Sequence, residues 1–527
     1  MKALKNIAIL LLSVAFFNGC DIDAYPEGAT VTEDQKRDII EGTPGRLSAD
    51  VNGLFAGMTL YAAIYDFAGS TRHNDYGIPA ISHLLDTSGE DIIGIDGGYN
   101  WFRGSMKYTD REPTSNETYL IWSTFYNLIK SANDILNTVE AETTVDLLKR
   151  YRGQAYATRA FCYLNLVQIF QFTYAGHEND PAVPIVTESM SVESLSENPR
   201  ASVKEVYELV MSDLEEAFKL LSGWKREAKN MYDQNVLYGL RARANLLMQN
   251  WQAAADDAQK AMDGYRPYTL AEVSKPTLNS ATSDSWIWAV LITEENDVVK
   301  SGIINWSSHL CSLTGNGYTT LVAAWKTINN KLWAKIPDTD IRKSWWIDED
   351  ISSKLVDGQI VGGEPIEDYF GWPPYANVKF GPYQDIPDNT TNAQDWCLMR
   401  AEEMILIRAE GLAMSGNIAA AKTVLEDFIK NNRDPDYTVT ATTPEAFQDE
   451  VWFQRRIELW GEGFSFLDVL RLKKPVERIG TNFPPACLYN LPAESGIFLY
   501  RIPEAEINVN DGISVDQNNP SFPIPVP

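Results

Sequence analysis

The chain of 527 residues is short of positive charge: 45 Lys and Arg stand against 72 Asp and Glu, for a formal net charge of −27. A chain this acidic repels phosphate backbones and anionic headgroups, and no Lys/Arg cluster offsets that, so no nucleic-acid partner is expected. Histidine is scarce. The four residues, His73, His83, His177 and His309, have no metal-site spacing, and surface or loop positions are expected for them. Cysteine is scarce as well: Cys20, Cys162, Cys311, Cys397 and Cys487 fit neither a zinc site nor a small disulfide scaffold. The last four read as buried free thiols, with one disulfide left open in an oxidising compartment. There is no Gly-x-Ser-x-Gly elbow, no His-Glu-x-x-His and no phosphate loop. Gly315-Asn316-Gly317 is a turn, and Asp91 and Asp96 lack calcium-loop spacing. No catalytic group, cofactor or metal is therefore expected.

Long hydrophobic runs are missing too. The longest, residues 7–17, is 11 residues, far below the roughly 20 needed to span a bilayer but suited to a signal peptide. Lys2 and Lys5 precede it, and Asn18-Gly19-Cys20 comes directly after it. This layout resembles a lipoprotein signal, with Phe17 where Leu is usual and Asn18 where a small residue is usual. It implies a signal over 1–19 and lipidation of Cys20. Two or more acyl chains there would anchor the protein stably. Asp21 and Asp23 resemble a surface-export signal. Residues 20–41 are polar and read as a flexible tether.

Helical periodicity dominates the rest of the chain. A first helix is expected over 46–67, with Leu54, Met58, Tyr61 and Tyr65 on one face. Residues 68–113 carry seven glycines and read as an irregular, functional loop. Helices are expected over 117–139 and 145–170, and another from a Ser202/Glu205 capping box to about 221. Two more, 234–248 and 251–262, carry small residues and Trp251 in a pattern that resembles tetratricopeptide helices. The pattern returns at 404–414 and 418–429. Between lies a loop-rich stretch, 265–396, with a buried strand at 285–291. The fold class expected is mainly α: helix pairs at about 117–263 and 398–472 form a scaffold with long loops and a few short strands. Residues 42–527 form a single domain on this reading, because each half alone would expose an unpaired helical face.

Four motifs carry a family resemblance. They are Trp122-x-x-x-Tyr126-x-x-Ile129-x-x-Ala132-Asn133-x-x-Leu136, continued by Ala155-x-x-x-Arg159-Ala160-x-x-Tyr163; Arg400-Ala401-Glu402-Glu403-Met404-x-Leu406-x-Arg408-Ala409-Glu410; Arg455-Arg456-Ile457-Glu458-Leu459-x-x-Glu462-Gly463-Phe464-x-x-x-Asp468-x-x-Arg471; and Ile502-Pro503-x-x-Glu506-Ile507. In this order, behind a lipoprotein signal, they resemble the SusD/RagB family of outer-membrane nutrient-binding lipoproteins. The resemblance implies a non-enzymatic protein, held to the outer membrane by its lipid and facing the cell exterior. It also implies a SusC-like TonB-dependent channel as partner and a glycan as ligand, with peptide as the alternative. The charged residues of the third motif can form ion pairs that pin a helix to its neighbours. A glycosidase pair Glu458/Glu462 is disfavoured, since carboxylates four apart on a helix point the same way and adjacent arginines lower their pKa.

The chain holds 15 Trp. Flat rings stack on the C–H faces of sugars, so loop aromatics are the natural tools of a glycan site. Trp122, Trp251, Trp452 and Trp460, on helices, and Trp286 and Trp288, on the strand, read as packing residues. Tyr99 and Trp101, in the Gly-rich loop, and Trp306 and Tyr318, after the strand, are the candidate ligand-binding residues. The resemblance implies sugar-stacking aromatics in comparable segments.

Overall fold

Where apolar residues recur at threes and fours, the chain is helical. The computed structural model describes residues 33–61 and 72–527. Its principal helices are α1 (Glu33–Gly42), α2 (Ser48–Ala56), α3 (Ile78–Ser88), α4 (Arg103–Lys107), α5 (Asn116–Thr138), α6 (Asp146–Phe170), α7 (Val203–Leu220), α8 (Gln234–Leu247), α9 (Trp251–Ala261), α10 (Trp306–Leu310), α11 (Tyr318–Leu321), α12 (Ala401–Met414), α13 (Ile418–Asn432), α14 (Pro444–Glu458) and α15 (Ser465–Arg471). The Ser202/Glu205 capping box opens α7 as expected. Four two-stranded ladders complete the fold, so the mainly helical class holds.

The long helices pack in sequence order, α5 on α6, α6 on α7, α8 on α9, and α12 on α13. The two repeat stretches meet where α9 lies directly on α12, with α8 also touching α12. Gly411 makes that approach possible. A Cβ there would sit 2.5 Å from the Trp251 carbonyl oxygen and 3.1 Å from the Ala255 Cβ.

Several expectations are corrected. The helix expected over 46–67 is broken into a 3-10 turn (Pro44–Leu47), α2 and a second 3-10 turn (Gly57–Thr59). Gly57 lies so close to α5 that a Cβ would meet the Leu128 side chain at 2.9 Å. The remainder of that helix, 62–67, lies outside the described residues. So do the signal sequence, Cys20 and the first part of the tether, 20–32. The last part of the tether is α1, with Ile40 buried and Arg37 donating to the Asn137 carbonyl at 3.2 Å. The loop expected over 68–113 contains α3, a strand and α4. Helix α3 is buried on nearly all sides, and so lacks the one-sided periodicity that marks a surface helix. His83 sits on α3 and His309 on α10, both buried. Neither has the surface place expected, and both are core residues.

The other packing expectations hold. Strand β2 (Trp286–Val290) is fully buried and pairs antiparallel with Trp396–Arg400. Trp122 and Trp460 are buried, and Trp251 and Trp452 pack against the core. Cys162, Cys311, Cys397 and Cys487 are buried and free.

The third motif forms a buried ionic seam. Helix α14 ends at Glu458, whose carboxylate accepts from Arg433 (2.8 Å) and from Arg400 (2.9 Å), with Arg342 at 3.3 Å. Glu462 accepts from Arg400 (2.7 Å) and Lys379 (2.6 Å). Arg455 and Arg471 share Asp468, and Arg456 reaches Asp91. Burial alone would raise the Glu458 carboxyl, but Arg433, Arg400 and Arg342 overrule it and hold it well below the usual carboxylate range. A carboxyl held ionised in this way is unsuited to general-acid work at neutral pH.

Candidate functional site

Strand pairing over a long sequence separation assembles the site. Strand β1 (Ile92–Gly94) pairs antiparallel with β3 (Lys326–Ile328), Gly94 opposite Lys326. The turn after β1 carries Tyr99 and Trp101, and the segment before β3 carries Tyr318, so this short ladder sets the two loops side by side.

Each loop is built to hold its rings. Asn100 clamps the first: its side-chain amide donates to the Ile95 carbonyl (2.9 Å) and its side-chain oxygen accepts from the Phe102 N–H (3.2 Å). A Cβ at Gly94 would lie 2.4 Å from the Asn100 amide nitrogen, so the clamp needs glycine there. Phe102, fully buried, anchors the turn between Tyr99 and α4. In the second loop Asn305 caps α10 by accepting from the Ser308 N–H (2.9 Å), and the Ser308 hydroxyl accepts from the Tyr318 N–H (3.1 Å). A Cβ at Gly317 would meet the Ser308 Cα at 2.7 Å.

Three of the four candidate residues converge. Tyr99 is 58% exposed, Trp101 is half-buried, and Tyr318 is largely buried. The Tyr318 ring centroid is 6.4 Å from that of Tyr99 and 6.4 Å from that of Trp101. Burial raises the Tyr318 phenol above its ordinary pKa, so it stays protonated and can both donate and accept. The rings form a tilted platform with Tyr99 outermost.

Trp306 does not belong to it. Only 2% of this residue is exposed. Its Nε1 donates to the Gln394 carbonyl (2.9 Å), and its ring packs edge-on against Trp396 and Phe380. The expectation of a sugar-stacking Trp306 is therefore corrected: as the first residue of α10 its ring points into the core.

Residues not singled out from the sequence complete the platform. His73 stacks on Trp101 at 4.8 Å and 16°, and its Nδ1 shares a short hydrogen bond with the Tyr318 hydroxyl. Arg72 lies 5.7 Å over the Trp101 ring and pairs with Glu117 at 2.6 Å. Beneath Tyr318, His309 stacks at 4.7 Å and 10°, and Tyr76 stacks on His309 at 5.6 Å. Isolated histidines in loops carry no periodic or motif signal, and only the aromatic neighbours could have pointed to them. Among the described residues no group of His, Cys, Asp and Glu is arranged to hold a metal ion, and no helix is long and apolar enough to cross a membrane.

Comparison with known proteins agrees with this architecture. Residues 81–246 match a SusD-like family model described as starch-binding and associating with the outer membrane, and residues 356–522 match the SusD family model. The two segments cover more than half of the chain, which belongs to the SusD/RagB family. A SusD-like protein of Formosa agariphila is 23% identical over 519 residues, covering 91% of this chain and 94% of the relative. Among solved structures, a SusD-like carbohydrate binding protein from Bacteroides vulgatus superposes with a TM-score of 0.71 at 24% identity, over 91% of this chain and 98% of that one. A laminarin-binding SusD-like protein does so with a TM-score of 0.63 at 18% identity, over 90% and 99%.

Proposed function

We propose that this protein captures oligo- or polysaccharide on the Tyr99–Trp101–Tyr318 platform at the outer-membrane surface and passes it to a SusC-like TonB-dependent channel. The observation that carries the reading is the meeting of three aromatic rings from two distant segments. Support comes from the family model's description as starch-binding at the outer membrane and from a structural relative that binds laminarin. One ring on a sugar face contributes about 1 kcal/mol, by analogy with aromatic pairs. Several rings are therefore needed to offset the cost of immobilising the ligand. Modest affinity suits a protein that holds its ligand jointly with a channel. Lipidation of Cys20 would keep the platform at the membrane.

Isothermal titration with soluble polysaccharides, laminarin and starch first among them, tests the site. Trp101→Ala should weaken binding about tenfold, and a Tyr99→Ala/Trp101→Ala double variant about a hundredfold, with its melting point little changed. Unchanged affinity in both would overturn the site. Capture of peptides and of no glycan would replace the ligand class. Cys20→Ala should release the protein from membranes, and a variant that still sediments with them would contradict the anchor.

A further inference from the structure

We infer that His73 is the positioning residue of this platform, and that it holds Trp101 and Tyr318 in their binding arrangement only while its ring is neutral, so that ligand capture is acid-sensitive. The inference rests on the platform reading above.

His73 touches both loops. The His73 ring lies nearly parallel to the Trp101 indole at 4.8 Å, and its Nδ1 is bonded to the Tyr318 hydroxyl. Its backbone carbonyl accepts from His309 Nε2 at 2.8 Å. His309 in turn stacks on the other ring that His73 holds, Tyr318. Trp101 and Tyr99 each meet Tyr318 at 6.4 Å, and His73 adds a stacked ring and a hydrogen bond between the two loops.

The surroundings disfavour a charge on it. A carbonyl can only accept, so His309 carries its proton on Nε2. Its Nδ1 is buried with no partner among the described residues, and burial, with Lys326 adding to it, keeps this ring neutral. Glu117, the carboxylate that answers Arg72 (2.6 Å), is also engaged by Asn74 (3.1 Å) and Ser115 (2.9 Å). An imidazolium at His73 would therefore meet the Trp101 indole, the Tyr318 phenol and neutral His309, none of which carries a countercharge. Desolvation holds the His73 pKa below its ordinary value. A sugar laid over the platform would desolvate the ring further. By linkage the ligand prefers neutral His73, and affinity falls as pH drops through the His73 pKa.

The hydrogen-bond pattern changes with the charge. In neutral His73 we assign the proton to Nε2, so that Nδ1 accepts from the Tyr318 hydroxyl and the phenol oxygen faces the ligand as an acceptor. Once protonated, Nδ1–H can only donate, which turns the phenol proton outward and reverses what Tyr318 offers to a sugar hydroxyl.

The test is titration of wild type, His73→Phe, His73→Gln and Trp101→Ala with the polysaccharide that wild type binds, laminarin first, between about pH 7.5 and pH 5. Wild-type affinity should be flat near neutrality and then fall, approaching tenfold per pH unit below the His73 pKa. His73→Phe, which keeps a ring against Trp101 and loses the bond to Tyr318, should bind about fivefold more weakly and without that pH dependence. His73→Gln, which keeps an acceptor, should regain part of the loss and also stay flat. If Trp101→Ala loses affinity while both His73 variants keep wild-type affinity and pH profile, the inference fails and the platform stands. If Trp101→Ala binds as wild type does, the platform itself is wrong. A ligand-free readout covers variants that fold poorly: with only four histidines in the chain, side-chain NMR resolves His73. Tyr318→Phe should shift the His73 titration, and an unmoved titration would refute the bridge.

Discussion

Two buried polar regions of this molecule are built on opposite principles. In the seam around Glu458, four cations, Arg342, Arg400, Arg433 and Lys379, meet carboxylates at hydrogen-bonding distance. Every charge is answered, so the groups stay ionised although they are buried. Beneath the platform the titratable groups have no opposite charge among the described residues. Burial lowers His83 to about 3, with Lys326 adding to the effect, and lowers Lys326 itself to about 7. The Lys326 amine donates to the Ala324 carbonyl at 3.3 Å, a long and neutral contact. The Nε2 of His83 and the Nδ1 of His309 are buried with no partners among the described residues. A buried pair that is fully satisfied stabilises one arrangement, whereas an unanswered polar group is a cost that the rest of the fold must offset. We assign the seam to holding the helices together and the other region to supporting the binding surface.

The largest expected break in this contrast is Glu458→Gln. It leaves three buried guanidiniums short of a carboxylate and should destabilise by about 5 kcal/mol, while glycan affinity stays within a few-fold in the protein that remains folded. The pH dependence has a definite sign. Because the folded Glu458 carboxyl lies well below its ordinary value, its contribution is present above the unfolded pKa and is lost as pH falls through the folded one. The stability difference between wild type and Glu458→Gln should therefore be largest near neutrality and shrink as pH falls below the ordinary carboxylate range, as acid denaturation monitored by circular dichroism would show. A large affinity loss in a fully folded Glu458→Gln variant would erase the contrast.

Trp306→Ala comes next. A buried indole is deleted from against Trp396 and Phe380, which should cost about 4 kcal/mol in denaturant unfolding. Its effect should appear in stability before it appears in affinity, the reverse of Trp101→Ala. Lys326→Met should have a smaller effect of opposite sign. A lysine whose folded pKa is depressed must lose its proton on folding, a cost present below its unfolded value of 10.5 and vanishing as pH rises towards it. The substitution should stabilise the protein at pH 7 and by progressively less towards pH 10, as thermal melts across that range would show. Destabilisation by Lys326→Met would mean that the amine is better satisfied than the Ala324 contact implies.

The two regions also differ in how far the sequence announces them. The seam was legible because Arg455, Arg456, Glu458, Glu462, Asp468 and Arg471 recur at helical spacing, and charged residues at that spacing are read locally. The long repeat helices were legible for the same reason, since α5 and α6 show their apolar faces in sequence. Helix α3 was not, because burial on nearly all sides erases the periodicity. The platform was legible only as residue types in loops. Tyr99, Trp101 and Tyr318 could be named, but their meeting depends on the β1–β3 pairing, a ladder of three residues a side across more than two hundred positions. Trp306 looked the same in sequence as Trp101. What separates them is a helix start that turns one ring inward and an Asn100 clamp that leaves the other at the surface. Tyr318 also lies between the two segments that match family models, in the stretch where local pattern says least.

The most direct test of the account is isothermal titration of laminarin and starch into wild type and into a Tyr99→Ala/Trp101→Ala double variant at neutral pH, with melting points recorded for both proteins. The account predicts measurable glycan binding by wild type and a loss of about a hundredfold in the variant, with the two melting points within a few degrees of each other. Glycan binding of equal strength in both proteins would contradict it.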